Sequence, residues 1–168
     1  MNLSMLSFSF GDKRFNYRIV GIALREGHVL LHKEDREEFW SLPGGRAEWF
    51  EPSPETLRRE MIEELGAEVE VGPLLWVVEN FYRQEGQTRH ELALYYRIEL
   101  TQDPRWADLS QPTRGIEAET PMTFRWFPLE ALGDLPLFPA FLAGALREPM
   151  TGIRHIIHQD TEERRVKG

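Results

Sequence analysis

Apolar and polar positions in this chain fall into strand-like runs on both sides of one stretch with helical rhythm. Residues 7–10 and 14–24 read as strands joined at Gly11-Asp12, a dipeptide that accepts turn geometry. The run Tyr17-Arg18-Ile19-Val20-Gly21-Ile22-Ala23-Leu24 is rich enough in β-formers to be a central strand. Arg25-Glu26-Gly27 then predicts a hairpin turn, with 28–32 as the returning partner, 33–38 as a charged surface loop and 39–42 as a short strand leading into Pro43-Gly44-Gly45. In the next segment Leu57, Met61 and Leu65 recur at i, i+4, with Ile62 widening the face, which is the pattern of a helix burying one side. Ser53 is the expected N-cap, Pro54 suits the first helical position, Glu55 meets the positive end of the helix dipole, and Gly66 can stop the helix.

Beyond that helix, 68–81 reads as one long strand or two, broken near Gly72-Pro73, and 76–81 alternates enough to lie across a sheet. A polar turn over 84–87, around Gly86, returns the chain through 90–100 as a second hairpin. Residues 101–121 lack periodicity and are expected to form a long surface loop, a class of segment that is often functional in compact domains. A short strand at 124–127, a helical turn at 128–132, a second helix at 139–146, and a strand or helical turn at 153–157 follow. The polar tail 161–168 is expected to fray. Strands before and after one central helix, with another helix late in the chain, predict an α/β fold, an α/β/α sandwich around a mixed β-sheet. At 168 residues one domain over 1–168 suffices.

Charge and composition narrow the function. A formal net charge of -8 argues against unassisted binding of a nucleic acid polymer, and a small anionic substrate would need a metal to bridge it to carboxylates. The absence of cysteine removes disulfides and thiol chemistry. The N-terminal segment lacks a basic stretch followed by a long apolar core, and no apolar run is long enough to span a bilayer, so a soluble cytoplasmic protein without membrane association is expected. Exposed sheet edges would permit a homodimer.

The candidate chemistry lies between Gly45 and Ala67. Glu60, Glu63 and Glu64 stand at i, i+3 and i+4, on one flank beside the apolar stripe, and their mutual repulsion destabilises a bare helix by about 0.2–0.5 kcal/mol per pair. Arg59, four residues before Glu63, can neutralise or orient one carboxylate and leave the others for a hard cation such as Mg²⁺. Glutamates on a helix are usually a solvated face. Here, however, they stand at fixed spacing from an upstream glycine loop and from Glu51. By chance, seven such fixed positions would occur in roughly one chain in 10⁵ of this length.

The stretch resembles the signature of the Nudix hydrolase family, which includes MutT-like enzymes: Gly-x5-Glu-x7-Arg-Glu-U-x-Glu-Glu-x-Gly-U, with U a bulky aliphatic residue. It matches at Gly45, Glu51, Arg59, Glu60, Met61, Glu63, Glu64 and Gly66. Ala67 is smaller than the pattern asks, and Phe50 stands where glycine is common; neither departure removes a carboxylate. The resemblance implies the same sandwich fold. It also implies a pyrophosphohydrolase dependent on Mg²⁺, or Mn²⁺ in its place, that cleaves a diphosphate linkage in a small nucleotide-type substrate such as a nucleotide sugar, ADP-ribose or a nucleoside triphosphate. Glu60, Glu63 and Glu64 would hold the metal, with Gly44 or Gly45 adding a backbone carbonyl. Arg59 and Glu51 would orient the carboxylates. Apart from the resemblance, Arg46, directly after the glycines, is a candidate to meet a phosphate, with a surface charge as the plain alternative.

Glu60 or Glu64 within the motif, and Glu91, Glu117 and Glu119 outside it, are candidate general bases. Arg18, Lys33, Arg83 and Arg89 are candidate phosphate ligands, and Trp40, Trp49, Phe50, Phe81 and Tyr82 candidate stacking partners for a base. Each has a plain alternative as a surface charge, a core aromatic or, for His90, a structural histidine. A nucleotide-binding module that does not hydrolyse is the rival reading. An isoprenoid diphosphate isomerase of the same fold is disfavoured by the lack of cysteine.

Overall fold

The computed structural model describes residues 5–101 and 103–168; residues 1–4 and Gln102, which fall within the predicted domain and its 101–121 loop, lie outside the described residues. Among the described residues, nine strands form one mixed sheet. They are β1 (Ser7–Phe10), β2 (Lys13–Arg25), β3 (His28–Glu34), β4 (Gly44–Arg46), β5 (Val69–Gln84), β6 (Gln87–Leu100), β7 (Thr113–Arg114), β8 (Met122–Pro128) and β9 (Arg154–Gln159). The order is β7-β8-β3-β2-β6-β5-β9, with β1 and β4 also paired to β2. β2 runs parallel to β6 and β5 parallel to β9, while the other pairings are antiparallel.

The sheet is covered on both faces because its strands alternate between two apolar sets. Ile19 and Ala23 of β2, Leu30 of β3 and Ile98 of β6 pack with Leu57, Met61 and Leu65 of helix α1 (Ser53–Leu65). Val20, Ile22, Val29 and Leu31 point the other way, onto Leu132 of a 3₁₀ segment (Leu129–Asp134) and Leu142 of the short helix α2 (Leu142–Ala145). This is the predicted α/β/α sandwich, with an unequal second layer. α2 is far shorter than the predicted 139–146, since Gly144 weakens its interior and Pro149 follows closely. No helix among the described residues is long and apolar enough to cross a membrane.

β2 organises the sheet, and its divergence from β3 makes room for the site. The two strands pair only at Leu24/Val29 and Arg25/His28; further along, β4 takes the freed edge of β2 at Arg18, Ile19 and Val20. The Glu26-Gly27 and Glu85-Gly86 turns that close the two hairpins both carry positive φ at their central residues, as tight two-residue hairpin turns require.

Several elements differ from their expectation. Residues 39–42 make only isolated bridges, at His32/Ser41 and Trp40/Leu137, and the strand falls instead on the glycines of β4. The predicted break at Gly72-Pro73 is a pair of register shifts within one strand. Ser53 does not cap α1: Pro52 occupies that position and the Ser53 hydroxyl is shared with Tyr96 Oη at 2.7 Å. Gly66 ends the helix in the left-handed conformation, as expected. Ile62 is 49% exposed, on the flank of α1 away from the sheet. The 101–121 loop is anchored by buried Trp106, whose carbonyl accepts from Arg25 Nη1 at 2.9 Å. The 153–157 segment is strand β9. The tail is pinned rather than frayed, because Arg164 is buried, pairs with Asp160 at 2.9 Å and lies over the Tyr82 ring.

Met61→Ala should lower unfolding free energy by about 2–5 kcal/mol, whereas Ile62→Ala should change it by under about 0.5 kcal/mol. Urea denaturation followed by circular dichroism measures both; equal losses would contradict this packing of α1.

Candidate active site

The site is built where α1 crosses β4. Gly44 has φ +150° and its missing Cβ would stand 2.1 Å from the Ile19 carbonyl oxygen, so the chain can approach β2 only with glycine there. A Cβ on Gly45 would stand 2.1 Å from the carboxylate carbon of Glu60. Helix and strand therefore touch through a carboxylate seated on bare backbone.

Arg59 arranges the acidic groups around it. Its Nε donates to Glu51 Oε1 at 2.8 Å and its Nη2 to Glu51 Oε2 at 3.0 Å, a bidentate pair. Nη1 reaches Glu60 Oε1 at 2.9 Å and Glu63 Oε2 at 3.2 Å, and Nη2 also donates to the Arg46 carbonyl at 3.1 Å. Glu51 receives further hydrogen bonds from Thr56 Oγ1 at 2.7 Å and the Glu48 amide at 3.2 Å. Hydrogen bonds from Arg59, followed by those from Thr56 and Glu48, pull the Glu51 carboxyl down to about 2 against the cost of burial. Hydrogen bonding to Glu51 raises Arg59 above its ordinary value.

Glu60 and Glu64 are in the opposite condition. They are 7% and 8% exposed, and burial raises both; Arg59 opposes the shift at Glu60, while Glu60 itself adds to the shift at Glu64. Glu64 Oε2 is buried without a hydrogen-bond donor. His32 Nδ1 approaches it at 3.8 Å, but burial first and then the Arg18 charge pull the imidazole down to about 3, so the contact is not an ion pair at neutral pH. Glu63 lies outside, its side chain 53% exposed.

Among the described residues no group of three or more His, Asp or Glu side chains converges closely enough to enclose an ion. Glu60 and Glu64 nonetheless fit a hard divalent cation: both supply oxygen, repel each other, and leave one buried oxygen without a donor.

Glu64 borders a cleft of about 280 Å³ that opens between the diverging strands and is also lined by Arg18, Arg46, Arg89, Tyr82 and Glu91, among others. Arg18 Nη2 donates to the Gly44 carbonyl at 3.3 Å. Burial works against the Arg18 charge, but Glu91 foremost, with Tyr82 and Glu64, holds the guanidinium above its ordinary value.

The structure thus brings Gly44, Gly45, Arg46, Glu51, Arg59, Glu60, Glu63 and Glu64 into one site. Of the outside candidates, Glu91 is buried and accepts from Tyr82 Oη at 3.3 Å in the cleft. Glu117 lies near the end of α1, where burial and then Glu63 raise it. Arg83 is exposed, Lys33 sits over the Trp40 ring, and Phe81 packs against His90. Trp49 and Phe50 are largely exposed. Sequence reasoning missed Arg14, His32 and Arg164, which come from two strands and the tail. For His32 a signal was available, since strand alternation puts it on the same face as Leu30, toward α1.

The NUDIX domain family model matches residues 15–148, and the chain belongs to the Nudix hydrolase family. Over 133 residues it is 29% identical to YjhB of Bacillus subtilis (strain 168), named as a candidate ADP-ribose pyrophosphatase; the match covers 77% of this chain and only 61% of that protein. The crystal structure of a MutT NUDIX hydrolase from Burkholderia pseudomallei superposes with TM-score 0.55 at 28% identity, covering 69% of this chain and 84% of the other. A MutT protein from Methanosarcina mazei Go1 shares the fold, with TM-score 0.58 at 18% identity over 77% of this chain and 88% of the other. Nudix hydrolases generally use divalent metal cations.

Because Glu51 titrates lower in the folded protein than in the unfolded chain, the stability it contributes should be full above about pH 4.5 and lost as pH falls toward about 2. In Glu51→Gln that part of the acid dependence should vanish. Thermal melts from pH 7 to 2 read the difference, and identical acid profiles for the two proteins would refute it.

Proposed function

We propose that this protein is a divalent-metal-dependent pyrophosphohydrolase acting on a diphosphate linkage in a small nucleotide-type substrate. The observation that carries this reading is the pair of buried carboxylates on α1: Glu60, set by Arg59 and Glu51, and Glu64, without a donor, in the wall of an arginine-lined cleft. Burial of uncompensated negative charge is costly, and a site that maintains it is suited to a cation. The family's use of divalent cations and the name of the Bacillus subtilis relative support the same reading and place ADP-ribose among the first substrates to test.

In this mechanism Glu60 and Glu64 would hold Mg²⁺ or Mn²⁺, with exposed Glu63 as a further carboxylate on the same flank. When bound, the metal supplies Lewis-acid polarisation of a phosphoryl oxygen and lowers the pKa of bound water. Arg59 contributes by fixing the orientation of Glu60 and Glu63 while Glu51 holds the guanidinium in place. Arg18, which lines the cleft and donates from Nη2 to the Gly44 carbonyl, is positioned to bind a phosphoryl oxygen of the substrate beside the carboxylates. Positioning and electrostatic stabilisation account for most of the rate gain in this class of reaction.

A screen of ADP-ribose, nucleotide sugars and nucleoside triphosphates with Mg²⁺ or Mn²⁺ should reveal hydrolysis of at least one compound. Turnover should stop with EDTA and fall at least about 100-fold in Glu64→Gln with the fold retained by circular dichroism. Undiminished activity in Glu64→Gln would reject the assignment; nucleotide binding without turnover of any compound would favour a non-hydrolysing binding module.

A further inference from the structure

Four arginines meet on one face of the sheet, beyond what the carboxylate site needs. Arg14 and Arg18 lie four residues apart on β2 and therefore on the same face. Arg46 of β4 stands directly opposite Arg18, and Arg89 of β6 directly opposite Arg14. All four line the cleft. Like charges directly opposite on adjacent strands destabilise a sheet, and here two such pairs occur side by side.

Protein groups leave this charge largely uncompensated. Arg14 Nε donates to the Ser7 hydroxyl at 3.0 Å and Arg18 Nη2 to the Gly44 carbonyl; both acceptors are neutral. Arg46 makes no side-chain hydrogen bond among the described residues, and burial, then the charges of Arg14 and Arg18, lower its pKa, with Arg89 adding to them and Glu60 opposing. Arg89 reaches Glu85 only at 3.5 Å, and its buried Nε has no acceptor. The remaining arginines of the cleft are neutralised locally, Arg36 by Glu34 at 2.9 Å and Arg164 by Asp160 at 2.9 Å. Glu91, paired with Asn16 between Arg14 and Arg18, acts with Glu64 on the Arg18 charge, and Glu60 acts on Arg46.

The arginines are also graded in position. Arg18 lies beside the glutamates, whereas Arg14 and Arg89 are four residues further along their strands, roughly 13 Å away at the backbone. A diphosphate centred on Glu60 and Glu64 would engage Arg18 and Arg46 and leave Arg14 and Arg89 without an anion. We infer that Arg14 and Arg89 form a subsite for a further phosphoryl group contiguous with the scissile diphosphate, so that the preferred substrate carries a chain of three or more phosphoryl groups. This deepens the hydrolase reading above and rests on it only for the kinetic part of the test. Guanidinium is the side chain best suited to the role, since its planar donors match phosphate oxygens in pairs.

The first part of the test needs neither turnover nor metal. With EDTA present, calorimetric titration of the wild-type protein with inorganic tripolyphosphate should give binding about tenfold or more tighter than with pyrophosphate. In the Arg14→Gln/Arg89→Gln double variant the two ligands should bind within about twofold of each other, whereas Arg58→Gln, an exposed residue outside the cleft, should retain the wild-type preference. Melting temperatures confirm folding, and each single variant serves if the double one does not fold. Absence of tripolyphosphate binding, or an equal preference in wild type and double variant, overturns the subsite. The second part compares kcat/KM on ATP and ADP-ribose: the double variant should shift the ratio about tenfold or more toward ADP-ribose, mainly through KM on ATP. An unchanged ratio also overturns it. The two readings fail separately. Tripolyphosphate binding without hydrolysis of any compound rejects the enzyme and keeps the anion site, while EDTA-sensitive hydrolysis of ADP-ribose without tripolyphosphate binding keeps the enzyme and rejects the subsite.

Discussion

The contact on which the site depends is the seating of the Glu60 carboxylate in the volume that a side chain at residue 45 would fill. That contact sets the distance between α1 and β4, and β4 in turn is held against β2 at Arg18, Ile19 and Val20. A carboxylate on bare backbone is poorly solvated, so its charge must be answered by neighbours. Arg59 answers it on one side, and since the same guanidinium also holds Glu51 in a bidentate pair, its position is not free to adjust. Glu64, one turn further along the helix, has no such partner. The helix thus carries one buried carboxylate that is answered by an arginine and one that is not.

Much of this was legible from the chain itself, for a physical reason. Gly45, Glu51, Arg59, Glu60, Glu63 and Glu64 are local in sequence, and a helix converts spacing into geometry through one fixed period. The positions of Leu57, Met61 and Leu65 on the buried side follow from the same period, and alternation exposed the strands around them. Ile62 was misjudged because periodicity locates an apolar stripe without fixing its width. Ser53 was misjudged as a cap because a cap depends on backbone angles that the residue type only favours; its hydroxyl found Tyr96 across the sheet instead.

What the sequence concealed is non-local. Trp106 sits in a polar stretch with no rhythm around it, yet its burial anchors the loop that carries Glu117 and Ile116 past the end of α1. The four arginines are spread over three strands, and only the pairing of β2 with both β4 and β6 brings them to one face. An arginine taken singly has no feature that separates a ligand from a solvated surface charge. The distinction appears in the register, where opposite positions carry the same sign.

Arg164 has a consequence of its own. It lies beyond the last strand, nearly a hundred residues after the motif, yet it is folded over Tyr82 and forms part of the cleft wall. The candidate site on α1 and part of the boundary of its cleft are therefore encoded in separate parts of the chain. Substitutions near the end can reshape what enters while the glutamate-bearing helix stays untouched, so two proteins with an identical motif can diverge in selectivity through residues that no comparison of the motif would inspect.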